Sequence, residues 1–254
     1  ARMSHDIRTP MNAILGVTEL AKECKSMEEL DDYLGKIEGS GKFLLGLIND
    51  ILDISKIESG KLVLNPTVFT KDDFEESIDT TIRPLMKEKN MEFRCDIDCG
   101  VECIYADRVR LEQIFFNLLS NAVKYTMPGG KIEFTAQKKE MPTEDTWIHY
   151  RVSDNGIGMS PEFLKKALEP FEQEQNGADL QWQGTGLGLT IVDKLVQIMG
   201  GVLQIESELG KGTTIIVDLP VTEAEPLEEK GKKNHSGAED FACLKGKRIL
   251  LVED

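Results

Sequence analysis

The chain has 254 residues, of which 40% are hydrophobic and 30% are charged, and its formal net charge is −15 at pH 7. This length leaves room for one large domain or two modest domains. The negative charge argues against nucleic acid as a principal partner, because neutralising phosphates needs a cationic surface. No apolar run approaches the roughly 18 residues of a membrane span, and no signal peptide is evident. We therefore expect a cytoplasmic location, which leaves open a membrane anchor in a longer parent protein.

Five cysteines occur without an extracellular signature, so reduced thiols are expected. Cys95, Cys99 and Cys103 recur at every fourth residue, a spacing that raises the alternative of a metal site. A zinc site usually has a closer cysteine pair and a fourth ligand. Strand and loop positions over residues 91–104 are therefore the favoured interpretation.

Residues 1–60 have the spacing of two helices joined by a polar connector at residues 23–29. The first helix carries a short apolar stripe from Ile7 to Ala21. In the second, apolar or small residues recur in alternating steps of four and three, which is a heptad seam. Two helices with a short connection predict an antiparallel hairpin, and a second apolar face at Leu45 and Leu52 predicts a dimeric four-helix bundle. The seam runs from Leu30 through Leu34, Ile37, Gly41, Leu44, Ile48 and Ile51 to Ser55.

The segment Ser4-His-Asp-Ile-Arg-Thr-Pro10 opens the first predicted helix. His5 lies two residues before Ile7, which places it about 200° away around a helix. We expect this imidazole to face solvent, and an incidental surface histidine is the alternative. Pro10 predicts a kink in the helix. The helical neighbours of His5 are polar, namely Arg8, Thr9 and Asn12.

Helix and strand patterns alternate over residues 67–220, which predicts an α/β sandwich with a mixed sheet. From residue 221 the composition shifts to Glu, Lys, Pro, Gly and Ser, which is typical of a linker. The last residues resemble a buried strand that ends in two carboxylates, as at the start of another domain. We predict helices over residues 71–87, 107–124, 161–169 and 187–199, and strands over residues 92–97, 131–137, 147–154, 202–206 and 213–219.

Three short motifs indicate a nucleotide site. Asp154 ends a predicted strand and is followed by a glycine-rich turn in which Gly156 and Gly158 let the backbone approach a ligand. The Asp154 carboxylate can accept a hydrogen bond from an exocyclic amine such as that of adenine. An ordinary turn built around Asp154 remains the alternative.

Asn117 and Asn121 lie one helical turn apart, so their amides project from the same face. Neutral oxygens suit Mg²⁺, and Lys124 and Tyr125 follow as a charge and a hydroxyl. A polar helix face is the alternative interpretation. The third motif precedes a predicted helix, whose N-terminus and backbone amides can bind phosphates; it consists of Gly184, Thr185, Gly186, Leu187 and Gly188.

Two familiar nucleotide motifs are excluded. A dinucleotide fingerprint needs glycine at the sixth position and a preceding strand, whereas this segment has Leu189 there and follows a polar loop. No Gly-Lys pair is followed by Ser or Thr, so the chain has no P-loop.

With these motifs in this order, the chain resembles the sensor histidine kinases of two-component signalling over residues 1–220. The resemblance implies a dimerisation and histidine-phosphotransfer hairpin at residues 1–62 and a catalytic ATP-binding domain of the GHKL (Bergerat) type at residues 63–220. It further implies a linker at residues 221–243 and the first strand of a truncated receiver domain at residues 244–254. The matching motifs are the H-box at residues 4–16, the N-box at residues 117–126, the glycine boxes at residues 154–158 and 184–189, and the F-box at residues 171–173.

The resemblance also implies the residue roles of an ATP-dependent kinase that autophosphorylates His5. Asp6 would orient the imidazole, and Thr9 matches the position that orients water when the same domain dephosphorylates a partner. The phosphoryl group would pass to an aspartate of a receiver domain, in the same chain or in another. A homodimer through residues 1–62 is implied as well. One alternative is a degenerate kinase that acts as a dimeric scaffold or only as a phosphatase, because the segment between Phe171 and Gly184 lacks Lys and Arg. A plain ATPase of the gyrase class is the other alternative.

By the same resemblance, ATP and Mg²⁺ occupy the second site. Asp154 would select adenine, Asn121 would bind the metal directly with Asn117 in support, and Lys124 would neutralise phosphate charge. The remaining nucleotide-binding residues implied are Tyr125, Gly156, Gly158, Gly184, Thr185, Gly186, Leu187 and Gly188.

Overall fold

The computed structural model describes residues 2–140, 145–174 and 184–225, with side chains from residue 5 onward. The predicted receiver strand, the predicted linker from residue 226 and most of the segment between the F-box and the second glycine box lie outside the described residues. No helix of the described residues is long and apolar enough to cross a membrane.

The N-terminal region is a helical hairpin, as predicted. Helix α1 (Arg2–Glu23) packs against helix α2 (Met27–Glu58). The Ser26 side chain begins α2 by accepting a hydrogen bond from the Glu29 amide at 3.1 Å, which satisfies a free N–H group of the first turn. Helix α1 continues through the buried Pro10.

The buried stripe of α2 differs in part from the predicted seam. Leu34 and Ile48 were assigned to the seam, but they are 51% and 40% exposed, whereas Leu47 is completely buried. The reason is that α2 packs against the catalytic region as well as against α1. Leu45 and Leu52 are exposed, as expected for a second apolar face.

The described residues between 67 and 223 form one mixed sheet with helices between its strands. The sheet order is β1-β3-β7-β5-β4-β2, with β6 also paired to β7, and only the β2–β4 pair is parallel among the described strands. The strands are β1 (Thr67–Thr70), β2 (Glu92–Asp98), β3 (Cys103–Ala106), β4 (Lys131–Lys139), β5 (Thr146–Asp154), β6 (Val202–Glu208) and β7 (Gly212–Glu223). The helices are α3 (Lys71–Glu88), α4 (Arg108–Tyr125), α5 (Pro161–Leu164) and α6 (Gly188–Ile198).

Four aromatic rings join α3 and α4 to the sheet. Phe74 of α3 and Phe115 of α4 meet Phe134 of β4 and Tyr150 of β5 in the buried core. The Phe115 ring centroid lies 4.6 Å from that of Tyr150 and 5.0 Å from that of Phe134. Alternating residues of β4 and β5 supply the inner face, which in β5 consists of Ile148, Tyr150 and Val152. This packing fixes the orientation of α4 on the sheet.

Several elements differ from the predictions. Strands β1 and β3 were not predicted, and the helix predicted at residues 161–169 ends at Leu164. Strand β7 continues to Glu223, which pairs with Ile104 of β3, and Val221 is buried. Residues 221–223 therefore belong to the sheet and not to the predicted linker.

The cysteines have the predicted strand and loop environments. Cys95 is partly buried in β2, while Cys99 and Cys103 are buried. Burial raises the pKa of the Cys95 thiol to about 12. In the described ranges no group of three His, Cys, Asp or Glu side chains could hold a metal ion.

We expect Phe115→Ala to lower the free energy of unfolding by about 3–5 kcal/mol, because it leaves a cavity at the centre of the core. Val109→Ala is a suitable control on the same helix, since Val109 is 69% exposed, and it should change stability by less than about 0.5 kcal/mol. Urea unfolding of both variants measures the difference. Equal stabilities would contradict the central role of this ring.

Candidate active site

A cavity of about 900 Å³ lies between α4, the loop after β5, the start of α6 and the side of α2. Asp107 begins α4 by accepting a hydrogen bond from the Arg110 amide at 3.0 Å. One face of α4 is buried in the core, and its polar face is directed at the cavity. Most predicted nucleotide-binding residues line this space. They are Asn117, Asn121, Lys124, Tyr125, Asp154, Gly158, Gly184, Thr185, Gly186 and Gly188.

Asp154 lies at one end of the cavity with one carboxylate oxygen held by the backbone. Its Oδ1 accepts hydrogen bonds from the amides of Gly156 at 2.9 Å and Thr213 at 3.3 Å. Partial burial raises the pKa of this carboxyl, although the two hydrogen bonds oppose the rise. Among the described residues Oδ2 has no hydrogen-bond partner, so it can accept from an amine of a ligand.

The two N-box asparagines face the glycine loop across the cavity. A Cβ atom built on Gly188 would lie 3.4 Å from Asn117 Oδ1 and 3.7 Å from Asn121 Nδ2. Within the part of the chain that the structure describes, neither side-chain amide makes a hydrogen bond. Both amides are therefore available to a ligand or metal.

Lys124 supplies a positive charge at the same wall. Its Nζ lies 4.7 Å from the ring centroid of Tyr125, and a Cβ built on Gly184 would approach it to 2.5 Å. Burial lowers the pKa of the ammonium to about 8, because water no longer stabilises the charge. The Tyr125 carbonyl accepts from the Ile157 amide at 3.1 Å, which ties α4 to the Asp154 loop.

The glycine loop is fastened to the F-box at two points. The Phe171 amide donates to the Gly186 carbonyl at 2.9 Å, and Gln173 Nε2 donates to the Gly184 carbonyl at 2.6 Å. Gly186 has a φ of +68°, and a Cβ there would lie 2.9 Å from the Phe171 backbone, so glycine is required for this approach.

Helix α2 contributes two residues that the sequence interpretation missed. Phe43 and Asp50 line the cavity, and Thr185 Oγ1 donates a hydrogen bond to Asp50 Oδ2 at 3.1 Å. Nothing in the local sequence around Asp50 distinguishes it from an ordinary exposed helix carboxylate. Only the docking of α2 on the catalytic region reveals the contact.

Two predicted nucleotide-binding residues do not line the cavity. The Leu187 side chain is completely buried in the hydrophobic core, because this residue begins α6 with its side chain inward. Gly156 lies behind the wall, where a Cβ would clash with the Tyr125 carbonyl and approach Asp154 Oδ1 to 2.8 Å. Both residues shape the site from behind.

The residues predicted to act in phosphotransfer, His5, Asp6 and Thr9, lie on α1 and do not line the cavity. The His5 side chain is 77% exposed, as expected, and its Nδ1 lies 3.1 Å from Asp6 Oδ1. Thr9 Oγ1 donates to the His5 carbonyl one turn earlier, at 3.1 Å. The pairing with Asp6 leaves the Nε2 atom of His5 open to solvent.

The donor set of the cavity fits a nucleotide. The unpartnered carboxylate oxygen suits the amine of adenine, and the two open amides suit a metal ion. The desolvated ammonium and the glycine loop suit the phosphates of Mg-ATP. The volume of about 900 Å³ is in the range of ligand cavities.

Comparison with known families gives the same assignment. Residues 1–60 match the His Kinase A (phospho-acceptor) domain, and residues 106–223 match the family of histidine kinase-, DNA gyrase B- and HSP90-like ATPases. The chain belongs to the sensor histidine kinases. Its catalytic domain is of the ATP-binding GHKL type. Strands β1, β2 and β3 belong to the same sheet, although β1 and β2 precede residue 106 and β3 ends there.

Named relatives extend over the whole chain. The autoinducer 2 sensor kinase/phosphatase LuxQ of Vibrio vulnificus is 39% identical over 256 residues, which cover 100% of this chain and 30% of LuxQ. The sensor histidine kinase GacS of Pseudomonas protegens is 36% identical over 258 residues, covering 100% of this chain and 27% of GacS. The chain thus spans under a third of the length of these relatives.

Solved structures of histidine kinases share the fold. Full-length ShkA in complex with AMPPNP has a TM-score of 0.66 and 29% identity, covering 89% of this chain and 46% of ShkA. The histidine kinase ThkA in complex with the response regulator TrrA has a TM-score of 0.65 and 26% identity, covering 87% of this chain and 60% of that one.

We expect the affinity for ATP to fall as the pH rises above about 8, the pKa of Lys124 in the free protein. Bound phosphate favours the charged ammonium and raises its pKa, so binding takes up a proton above pH 8 and weakens by up to about tenfold per pH unit. Calorimetric titrations from pH 7 to 9.5 measure this slope. Lys124→Met should bind more weakly at pH 7 and lose the slope; a variant that keeps it would contradict the role of Lys124.

Proposed function

We propose that this chain is an ATP-dependent protein-histidine kinase that phosphorylates His5 and passes the phosphoryl group to an aspartate of a receiver domain. The observation that carries the proposal is the pairing of His5 Nδ1 with Asp6, at 3.1 Å, on the same chain as the nucleotide cavity. A carboxylate at Nδ1 favours the tautomer whose Nε2 lone pair is free. An exposed nucleophile and an ATP site are the two parts that such a transfer needs.

The chemical step is the attack of His5 Nε2 on the γ-phosphorus of ATP. The new N–P bond forms as the bond from phosphorus to the bridging oxygen breaks, and ADP leaves. Asp6 stabilises the positive charge that develops on the imidazole at Nδ1–H. Catalysis of this kind rests on positioning and charge neutralisation more than on covalent chemistry by the protein.

Asp154 would accept a hydrogen bond from the adenine amine through its open Oδ2, and Lys124 would neutralise phosphate charge. The amide oxygen of Asn121 would bind Mg²⁺, with Asn117 beside it. The metal supplies charge neutralisation to the phosphates. Amides of the loop from Gly184 to Gly188 would donate to phosphate oxygens at the N-terminus of α6.

The hairpin supports a homodimer through residues 1–62. A phospho-acceptor domain of this family implies dimerisation, and both helices expose large apolar side chains. A symmetric four-helix bundle would cover them. They are Met11, Leu15 and Leu20 of α1 and Met27, Leu34, Leu45, Ile48 and Leu52 of α2.

A receiver domain is the proposed second partner, and ThkA, one of the similar structures, was solved with a response regulator. Removal of the phosphoryl group from that partner is a second candidate activity. It is favoured by Thr9, whose exposed hydroxyl lies one turn from His5, and by the LuxQ relatives, which are named kinase/phosphatase.

Incubation with γ-labelled ATP and Mg²⁺ should give an acid-labile, alkali-stable label that His5→Gln abolishes. His149→Gln is the matched control, because His149 is held by Asp218 in the sheet at 2.7 Å. Labelling that survives in the His5 variant would refute the proposed acceptor. ATP binding without any labelling would favour a scaffold or a phosphatase.

The double variant Leu45→Glu, Leu52→Glu should be monomeric at micromolar concentration, because it places charges in the centre of the proposed bundle. Leu209→Glu changes a side chain of similar exposure, 53%, on the β6–β7 turn, and should remain dimeric. Sedimentation velocity measures the three masses. A dimeric double variant would show that the dimer uses another surface.

A further inference from the structure

Helix α2 forms one wall of the nucleotide cavity at the glycine loop. Its Asp50 lines the cavity together with Thr185, and the Thr185 hydroxyl donates a hydrogen bond to Asp50 Oδ2. The same hydroxyl oxygen accepts from the Leu187 amide at 3.2 Å. Both hydrogen-bonding roles of this hydroxyl are therefore occupied within the protein.

A triphosphate entering this end of the cavity would meet a carboxylate. Burial raises the pKa of Asp50, which reflects its removal from water. Like charges repel more strongly where water is excluded. A bound phosphate and the Asp50 carboxylate therefore disfavour each other at the Thr185 hydroxyl.

The position of Asp50 depends on how α2 docks on the catalytic region. Leu47, one turn earlier, is completely buried. One turn later, Asp53 accepts from Gln113 Nε2 at 2.7 Å and lies 3.4 Å from Arg110 of α4. These contacts hold the Asp50 carboxylate against the glycine loop.

We infer that Asp50 and the phosphates of ATP compete for Thr185, so that ATP binding and the docking of α2 on the catalytic region oppose each other. The inference rests on the proposed function, since it concerns the same nucleotide site. Coupling between two equilibria is reciprocal: a docked α2 weakens ATP binding, and bound ATP weakens the docking by the same factor.

This coupling has a use in the proposed reaction. His5 lies on α1 and does not line the cavity, so release of the catalytic region from α2 would free it to bring ATP to a histidine. Competition at Thr185 releases the catalytic region when ATP has bound. An empty site keeps it docked.

The test compares nucleotide affinities of full-length variants by calorimetry with Mg-ATP and with adenosine. Asp50→Ala removes the acceptor and the charge, and we expect about fivefold to tenfold tighter binding of ATP, within the usual range of coupling. Adenosine lacks phosphates, so its affinity should stay within twofold. Asp31→Asn removes an exposed charge from the same helix and should leave both affinities unchanged.

Leu47→Ala separates docking from charge, because it weakens the packing of α2 without altering any charged group. We expect tighter ATP binding in this variant too, with its fold checked by circular dichroism. Hydrogen exchange of the segment at residues 43–53 should increase when Mg-ATP is added to the parent chain. Unchanged or weaker ATP binding in Asp50→Ala, or unchanged exchange in the parent, would overturn the inference.

These outcomes are distinct from a failure of the proposed function. A parent chain that binds no ATP would refute the nucleotide site itself. A parent that binds ATP and labels His5, with an Asp50→Ala variant of the same affinity, would refute the competition alone.

Discussion

The site depends on how α4 packs against the sheet. One face of this helix is buried through a continuous stripe, and Phe115 anchors that stripe in the aromatic core. Because side chains three or four residues apart share one face of a helix, burial of this stripe directs Asn117, Asn121 and Lys124 at the cavity. The hydrophobic core thus sets the directions of the polar side chains that line the cavity. The buried stripe comprises Leu111, Ile114, Phe115, Leu118, Leu119, Ala122 and Val123.

Long periodic elements could be predicted from the sequence, and short ones could not. Helices α3, α4 and α6 were predicted to within one residue at each end, because an amphipathic pattern repeats over several turns. Strands β1 and β3 have four residues each, too few to show an alternation. Their existence depends on partners distant in the chain, since β3 pairs with the end of β7.

The site residues show the same difference between local patterns, which the sequence reveals, and long-range contacts, which it does not. Asp154 and the N-box asparagines belong to motifs whose spacing alone places them on one loop and one helix face, and they line the cavity. Leu187 was included by adjacency within its motif, whereas its apolar side chain is drawn into the core. Asp50 could not be found, because its contact with Thr185 joins residues 135 positions apart. The buried stripe of α2 differs from the predicted seam for the same reason, since it depends on the contact of α2 with the catalytic region.

The two hydrogen bonds between the F-box and the glycine loop have a consequence for how this domain can diversify. They bring Gln173 and Gly184 together at 2.6 Å, although the two residues are 11 positions apart in the sequence. The entropy of closing a loop changes only slowly with its length. Insertions or deletions between these two residues would therefore cost little stability, and the hydrogen-bonded part of the cavity wall would stay intact.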